Sequence, residues 1–248
     1  MSQLRDKENG CEWDKQQTFK SIAPFTIEEA YEVADSIERN DYKDLKEELG
    51  DLLLQVVFLS QIAKEDDLFS FDDVASTITQ KLIRRHPYVF SKKRHHSSEE
   101  QTEQWEQIKE RERGSKNQSG VLDGIAKSLP SLKRSQQIQK RASRVGFDWP
   151  DTKGVFEKIK EETSELEEAI ESLSRDQIEE EIGDLLMIIT NLSQKQNIDA
   201  ESALRRANNK FIKRFNYIEE ELKKTNTDFS RVDLQQLDSL WKDSKKLG

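Results

Sequence analysis

The sequence predicts an all-α protein made of two tandem copies of one helical bundle, joined by a flexible linker. Its 248 residues include only nine glycines and four prolines, whereas a β-sandwich or barrel needs a turn signal about every ten residues. Apolar residues recur at intervals of three and four, which is the helical period. A long acidic segment also occurs twice. The 33% of hydrophobic residues still permit a core beside 36% charged residues.

The repeat defines the domain organisation. Residues 28–61 match residues 161–194 without a gap at fourteen of thirty-four positions, and seven of the fourteen are acidic. Trp13 and Trp149 precede the two acidic segments, and Trp105 and Trp241 follow them. Residues 113–120 are polar, contain Gly and Ser and show no apolar period, which is typical of a flexible linker. We therefore expect one domain over residues 1–120 and a second over residues 121–248.

Three helices are predicted in each copy. In the first copy, one helix should end at Asn40–Asp41, and the next carries an apolar stripe from Leu45. The short connection makes these two helices antiparallel neighbours. A third helix from Phe71 should end at Arg85, before Pro87. The stripe of the second helix comprises Leu45, Leu49, Leu52, Leu53, Val56, Leu59 and Ala63. The counterpart of the third helix is expected over residues 200–224.

Overall charge and cysteine content exclude several classes of protein. A net charge of -9 argues against nucleic acid as a partner, because nucleic-acid binding depends on basic surface. The apolar runs near Leu52 and Leu185 are far shorter than the roughly 18 residues of a membrane span. The first residues lack the apolar segment of a signal peptide, and Cys11 is the sole cysteine. We expect a cytoplasmic protein without membrane contact.

Carboxylates at helical spacing indicate a metal site in each copy. Residues three apart lie on one helix face, so two antiparallel helices that each carry such a pair can bring four carboxylates together. Four clustered carboxylates repel unless cations neutralise them, and an all-oxygen set suits Mg²⁺ or, alternatively, Mn²⁺. The set in the first copy is Glu29, Glu32, Glu48 and Asp51, and the set in the second is Glu162, Glu165, Glu181 and Asp184.

Structural roles compete with this interpretation. Thr26 and Glu29 have the spacing of a capping box, which would occupy Glu29 at a helix start, and many helical glutamates only face solvent. Gly50 and Gly183 lie mid-helix beside the acids, at a cost of about 1 kcal/mol relative to alanine. They indicate either close helix packing or room for a ligand.

Basic residues in the second copy point to phosphate. Lys210, Lys213 and Arg214 are spaced three and four apart, so their cationic groups share one side of a helix and could hold phosphate oxygens. Solvated ion pairs are the alternative role for them. Trp241 either stacks on a base or anchors a helix. Together with a metal, these groups describe a site for a polyphosphate ester of a base.

Several motifs resemble the MazG family of nucleoside triphosphate pyrophosphohydrolases, over nearly the whole chain. In the first copy they are Asn9-Gly10-Cys11-Glu12-Trp13-Asp14, Glu28-Glu29-x-x-Glu32, Glu47-Glu48-Leu49-Gly50-Asp51-Leu52-Leu53 and Arg85-His86-Pro87-Tyr88-Val89-Phe90. In the second they are Val145-Gly146-Phe147-Asp148-Trp149 and Glu180-Glu181-Ile182-Gly183-Asp184-Leu185-Leu186. The resemblance implies an all-α homodimer that uses Mg²⁺ to hydrolyse NTPs and dNTPs to the monophosphate and pyrophosphate. It also implies that the second domain is the active one.

The resemblance assigns roles in that second domain. Metal ligands would be the four acids of the second set, and the substrate-binding groups would be Lys158, Glu161, Glu180, Lys210, Lys213, Arg214 and Trp241. Gln177 departs from relatives that carry a lysine at its position. A metal-activated water would attack the α-phosphorus, with Glu161 or Glu162 as catalytic base. The alternative is a non-catalytic helical module that binds a regulatory protein or an alarmone nucleotide.

Overall fold

A computed structural model describes residues 1–90, 97, 101, 105, 108, 112, 120–172 and 174–247. The chain divides into two compact units, Met1–Arg111 and Glu112–Gly248. All regular structure within the described residues is helical, as predicted. No helix in those ranges has the length and hydropathy needed to cross a bilayer. Residues 113–119 of the expected linker lie outside the described residues, so the boundary near residue 120 stays a prediction.

The first unit is built on a pair of long helices. Its helices are α1 (Glu12–Gln16), α2 (Phe19–Arg39), α3 (Tyr42–Glu65), α4 (Phe71–Arg85) and α5 (Pro87–Phe90). Helices α2 and α3 pack along each other, and α4 contacts α3. The left-handed backbone of Asn40, with φ of 56°, ends α2, and the Asp41 side chain caps α3. The predicted break at Asn40–Asp41 and the predicted limits of α4 are confirmed.

Helix α2 begins earlier than the proposed capping box at Thr26. Thr18 caps the helix and forms a reciprocal capping box with Ser21. Thr26 lies inside the helix, where its hydroxyl donates to the Ile22 carbonyl at 3.3 Å. The capping interpretation of Thr26 and Glu29 is therefore wrong. The helix runs from Phe19 to Arg39 with Pro24 inside it, and the correction leaves Glu29 in mid-helix.

The core of the first unit lies at the end of the hairpin remote from the turn. Ile22, Phe58 and Ile62 are buried together. Leu49 and Leu53 of the predicted apolar stripe are instead 50% and 55% exposed. Only the C-terminal part of the stripe is thus covered within one chain, because α4 contacts α3 over a short length.

The second unit repeats the hairpin and adds helices on both sides. Its helices are α6 (Ser131–Arg144), α7 (Thr152–Glu171), α8 (Arg175–Lys195), α9 (Ala200–Lys224) and α10 (Leu234–Ser244). Helices α7 and α8 form the hairpin, α6 packs on α8, and α10 packs on α9. The third helix predicted for residues 200–224 is confirmed. Asp151 caps α7 at the position that Thr18 occupies in the first copy.

A partly buried ion pair stabilises the second hairpin where the first has apolar side chains. Lys195 Nζ donates to Asp148 Oδ2 at 2.9 Å and to the Trp149 carbonyl at 2.5 Å. Asn191 donates to the other Asp148 oxygen at 3.2 Å. In the repeat register, Lys195 corresponds to Ile62 of the first core. This network attaches the loop before α7 to α8.

Candidate active site

Three carboxylates converge between α7 and α8 in the second unit. Glu162 and Glu165 project from one face of α7, and Glu181 comes from α8. One oxygen of each lies within 4.8 Å of the others. Glu162 is only 4% exposed. Asp184 lies one turn beyond Glu181 and is among the charges that raise the pKa of Glu181. The structure thus brings together three of the four acids predicted for this copy, with Asp184 near enough for its charge to act on Glu181.

The first unit holds the matching cluster between α2 and α3. Glu29, Glu48 and Asp51 each place an oxygen within 4.8 Å of the others. Glu32, one turn from Glu29, contributes to the raised pKa of Glu29 through its charge and a hydrogen bond. Gln55 is buried and donates to Glu29 at 3.4 Å. The sequence analysis missed Gln55, although a glutamine that interrupts the apolar run of α3 was a visible signal.

Burial and mutual repulsion act on these carboxylates in the same direction. The pKa of Glu29 is raised by burial and by Asp51 and Glu32. The pKa of Glu48 is raised by burial and then by Glu32, and that of Glu181 by burial and its acidic neighbours. A bound cation would relieve both effects.

The donor set fits a hard divalent cation. All the converging side-chain ligands are carboxylate oxygens, and Glu162 is a buried acid aimed into the cluster. Mg²⁺ and Mn²⁺ prefer such oxygen ligands over nitrogen and sulfur. In the second unit, Glu162, Glu165 and Glu181 would hold the ion, with Asp184 close by.

Lys158 lies at the edge of the second cluster, on α7. Its Nζ contacts Glu161 Oε1 at 2.8 Å and Glu162 Oε1 at 2.7 Å. These bonds raise the pKa of Lys158, with the bond to Glu161 the larger contributor. Glu161 is on the solvent side, with its side chain 56% exposed, and Glu180 is also exposed. The first copy carries Phe25 at the position of Lys158.

Gly183 and Gly50 face open space. Among the described residues, no atom beyond the neighbouring helix backbone lies within 4 Å of a Cβ built on either glycine. Close helix packing within the chain therefore does not explain why these two positions are glycine. Gly154 is the opposite case, since its Cβ would lie 2.4 Å from Trp149 Cδ1.

The predicted basic residues border a pocket of about 320 Å³ on α9. Lys210, Lys213 and Arg214 line it together with Tyr217 and Ser244. Arg214 Nε is buried and has no hydrogen-bond partner among the described residues. Its hydrogen-bonding capacity is therefore unused within those residues.

Trp241 anchors α10 on α9. Its ring lies 5.1 Å from the Phe211 ring, centroid to centroid, and the Arg214 guanidinium lies over it at 5.6 Å. The indole thus also orients a basic residue of the pocket. Of the two roles considered for Trp241, the packing favours the anchor.

Comparison with known proteins identifies the family of each unit. The MazG nucleotide pyrophosphohydrolase domain matches residues 17–90 and 152–218, once in each unit. A nucleoside triphosphate pyrophosphohydrolase of Escherichia coli (strain K12) is 46% identical over 248 residues, covering 99% of this chain and 94% of the relative.

Further relatives match the whole chain or part of it. The nucleoside triphosphate pyrophosphohydrolase/pyrophosphatase MazG of Thermotoga maritima is 46% identical over 245 residues, which cover 99% of this chain and 92% of that protein. A nucleoside triphosphate pyrophosphohydrolase of Mycobacterium tuberculosis is 37% identical over 137 residues, covering 54% of this chain and 41% of the relative. The duplicated helical hairpin, its two acidic clusters and these matches show that the chain belongs to the MazG nucleotide pyrophosphohydrolase family.

Proposed function

We propose that this chain hydrolyses nucleoside and deoxynucleoside triphosphates to the monophosphate and pyrophosphate, using Mg²⁺ or alternatively Mn²⁺. The observation that carries the proposal is the convergence of Glu162, Glu165 and Glu181 into one oxygen-only cluster in a unit that also has a basic pocket. The names of the two relatives at 46% identity describe the same activity.

In the second unit, the acidic side chains would bind the cation and the basic side chains would bind the phosphates of the substrate. Glu162, Glu165, Glu181 and Asp184 would hold the cation. When bound, the cation supplies Lewis-acid polarisation of the phosphate and neutralises charge between the carboxylates and the substrate.

Phosphate contacts would come from the cationic side chains. The Arg214 guanidinium can donate to two phosphate oxygens at once, and its unpaired Nε supports that role. Lys210 and Lys213 add compact positive charges on the same pocket. Trp241 would stack near the nucleotide or, as its packing favours, hold Arg214 in place.

Glu161 and Glu162 are the proposed proton acceptors. Glu162 is buried among the cation ligands, whereas Glu161 projects toward solvent beside it. Glu161 is the better placed of the two to take a proton from an attacking water, because cation binding does not occupy it. Glu180, exposed beside Glu181 on α8, would contact the substrate from the opposite helix.

The first unit would bind a cation through Glu29, Glu32, Glu48 and Asp51 without hydrolysing nucleotide. Three of its acids also converge, namely Glu29, Glu48 and Asp51, but Phe25 replaces the lysine that the second unit places beside its acids. We assign hydrolysis to the second unit for this reason.

A homodimer is the proposed assembly. Leu53 on α3 is 55% exposed, and Ile182, Leu186 and Ile189 on α8 are 45%, 50% and 43% exposed. Such apolar rows on the central helices are typical of surfaces that another subunit covers. Light scattering of the purified protein tests this, and Leu186→Lys should yield monomers. We also propose a cytoplasmic location, in keeping with the free thiol of Cys11.

Removal of one cluster carboxylate tests the function. Glu181→Ala and Asp184→Ala should each abolish the Mg²⁺-dependent release of pyrophosphate from ATP and dATP while the helical circular dichroism is retained. Glu179→Ala, which removes an exposed charge on α8 outside the cluster, should keep most of the activity. Full activity in both cluster variants would contradict the proposal and favour the non-catalytic binding module.

A further inference from the structure

Lys158 lies at the edge of the cation site of the second unit and bonds to one of its ligands, Glu162. Its ammonium lies 2.7 Å from Glu162 and 2.8 Å from Glu161. The Glu162 side chain is 6% exposed, and a carboxylate at that depth needs a compensating charge. Lys158 provides that charge.

The bond between Lys158 and Glu162 also affects the binding of a metal ion. A divalent cation held by Glu162 and an ammonium bonded to it repel each other at close range. Lys158 extends along α7 with its side chain 30% exposed, so its flexible stem can move the ammonium off Glu162 toward solvent. The triphosphate brings negative charge to that same edge and can accept the released ammonium.

We propose that Lys158 is a resident counter-cation that opposes metal binding in the free site and couples the binding of metal to the binding of nucleotide. This inference rests on the proposed function. Because coupling between two ligands is reciprocal, nucleotide should strengthen cation binding at the second site by the same factor as the cation strengthens nucleotide binding. Phe25 leaves the first site without this device.

Titration of Mn²⁺ alone, followed by the electron paramagnetic resonance of the free ion, tests the proposal. The protein carries Glu48→Ala, so that only the second site is measured. Lys158→Met should bind Mn²⁺ about two- to fivefold more tightly than the parent, the range expected for a partly exposed ion pair. Lys158→Arg should restore the parent affinity, because it restores the charge.

Lys153→Met is the matched control on the same helix. Lys153 is 83% exposed and lies 3.9 Å from Glu157, so its removal should leave Mn²⁺ affinity unchanged. With α,β-methylene ATP present, the parent should gain much more Mn²⁺ affinity than Lys158→Met does. Equal or weaker Mn²⁺ binding by Lys158→Met would overturn the inference.

The same titration of Glu181→Ala distinguishes a failure of the role proposed for Lys158 from a failure of the proposed function. Loss of the Mn²⁺ site in Glu181→Ala, with no effect of Lys158→Met, would leave the proposed function standing and reject the role of Lys158. Mn²⁺ binding that is unchanged in Glu181→Ala would reject the metal set, and the inference with it.

Discussion

Gly183→Ala should have opposite effects on the stability of the second unit and on catalysis. Alanine is favoured over glycine in a helix interior by about 1 kcal/mol, and the added Cβ meets no described atom beyond its own helix backbone within 4 Å. The substitution should therefore stabilise the second unit by nearly the full amount. A change of that size raises the Tm by about 4 °C in a unit of this size.

The same methyl group should impair the enzyme. We assign the open space beside Gly183 to the substrate, because Gly183 directly precedes Asp184, and displacement of reacting groups by about 1 Å can cost up to a hundredfold in rate. We expect kcat/KM for ATP to fall at least about tenfold. Calorimetry and a coupled pyrophosphate assay on one preparation measure both effects.

Two other glycines supply the controls. Gly50→Ala should raise stability in the same way and leave hydrolysis unchanged, because the first unit is not the proposed catalyst. Gly154→Ala should be destabilising by about 1–3 kcal/mol, since its Cβ would lie 2.4 Å from Trp149. A Gly183→Ala protein with unchanged kcat/KM would refute the assignment of the open space to the substrate.

Three further predictions concern charged side chains. Arg214→Met should raise KM for ATP about tenfold or more, through loss of a phosphate donor, with the helical spectrum retained. Lys195→Met should destabilise the second unit by about 3 kcal/mol, measured in urea, because it leaves Asp148 buried without its partner. Glu65 has a lowered pKa through its hydrogen bond with Arg5; its contribution is thus present above the unfolded pKa near 4.5 and is lost as pH falls through the folded pKa. Glu65→Gln should therefore cost at most about 1 kcal/mol at pH 7 and almost nothing near pH 2, as urea unfolding at the two pH values would show.

The repeat carried most of what the sequence could predict about the site. Acids at i and i+3 on two adjacent helices must share a face, so the convergence of Glu162 and Glu181 followed from spacing alone. Helix limits were also predictable where a strong signal marked them, as at Asn40 and before Pro87. The start of α2 was missed because Thr18 and Ser21 cap the helix several residues before the apolar period becomes regular.

The sequence did not predict the contacts between distant segments. The family resemblance assigned Lys158 to the substrate, and nothing in the sequence showed that it bonds to Glu162. The pairing of Lys195 with Asp148 joins residues 47 apart, and the first copy has an isoleucine in the place of Lys195, so the repeat concealed it. In both cases the partner of the lysine depended on burial. A charged group with little exposed surface pairs with the opposite charge that packing brings close to it.

Product analysis tests the central claim most directly. ATP is incubated with the protein and Mg²⁺, and pyrophosphate and orthophosphate are quantified separately for the parent, Glu48→Ala and Glu181→Ala. We expect AMP and pyrophosphate in equal amounts from the parent and from Glu48→Ala, and neither product from Glu181→Ala. Orthophosphate with ADP, or pyrophosphate from Glu181→Ala at the parent rate, would contradict the account.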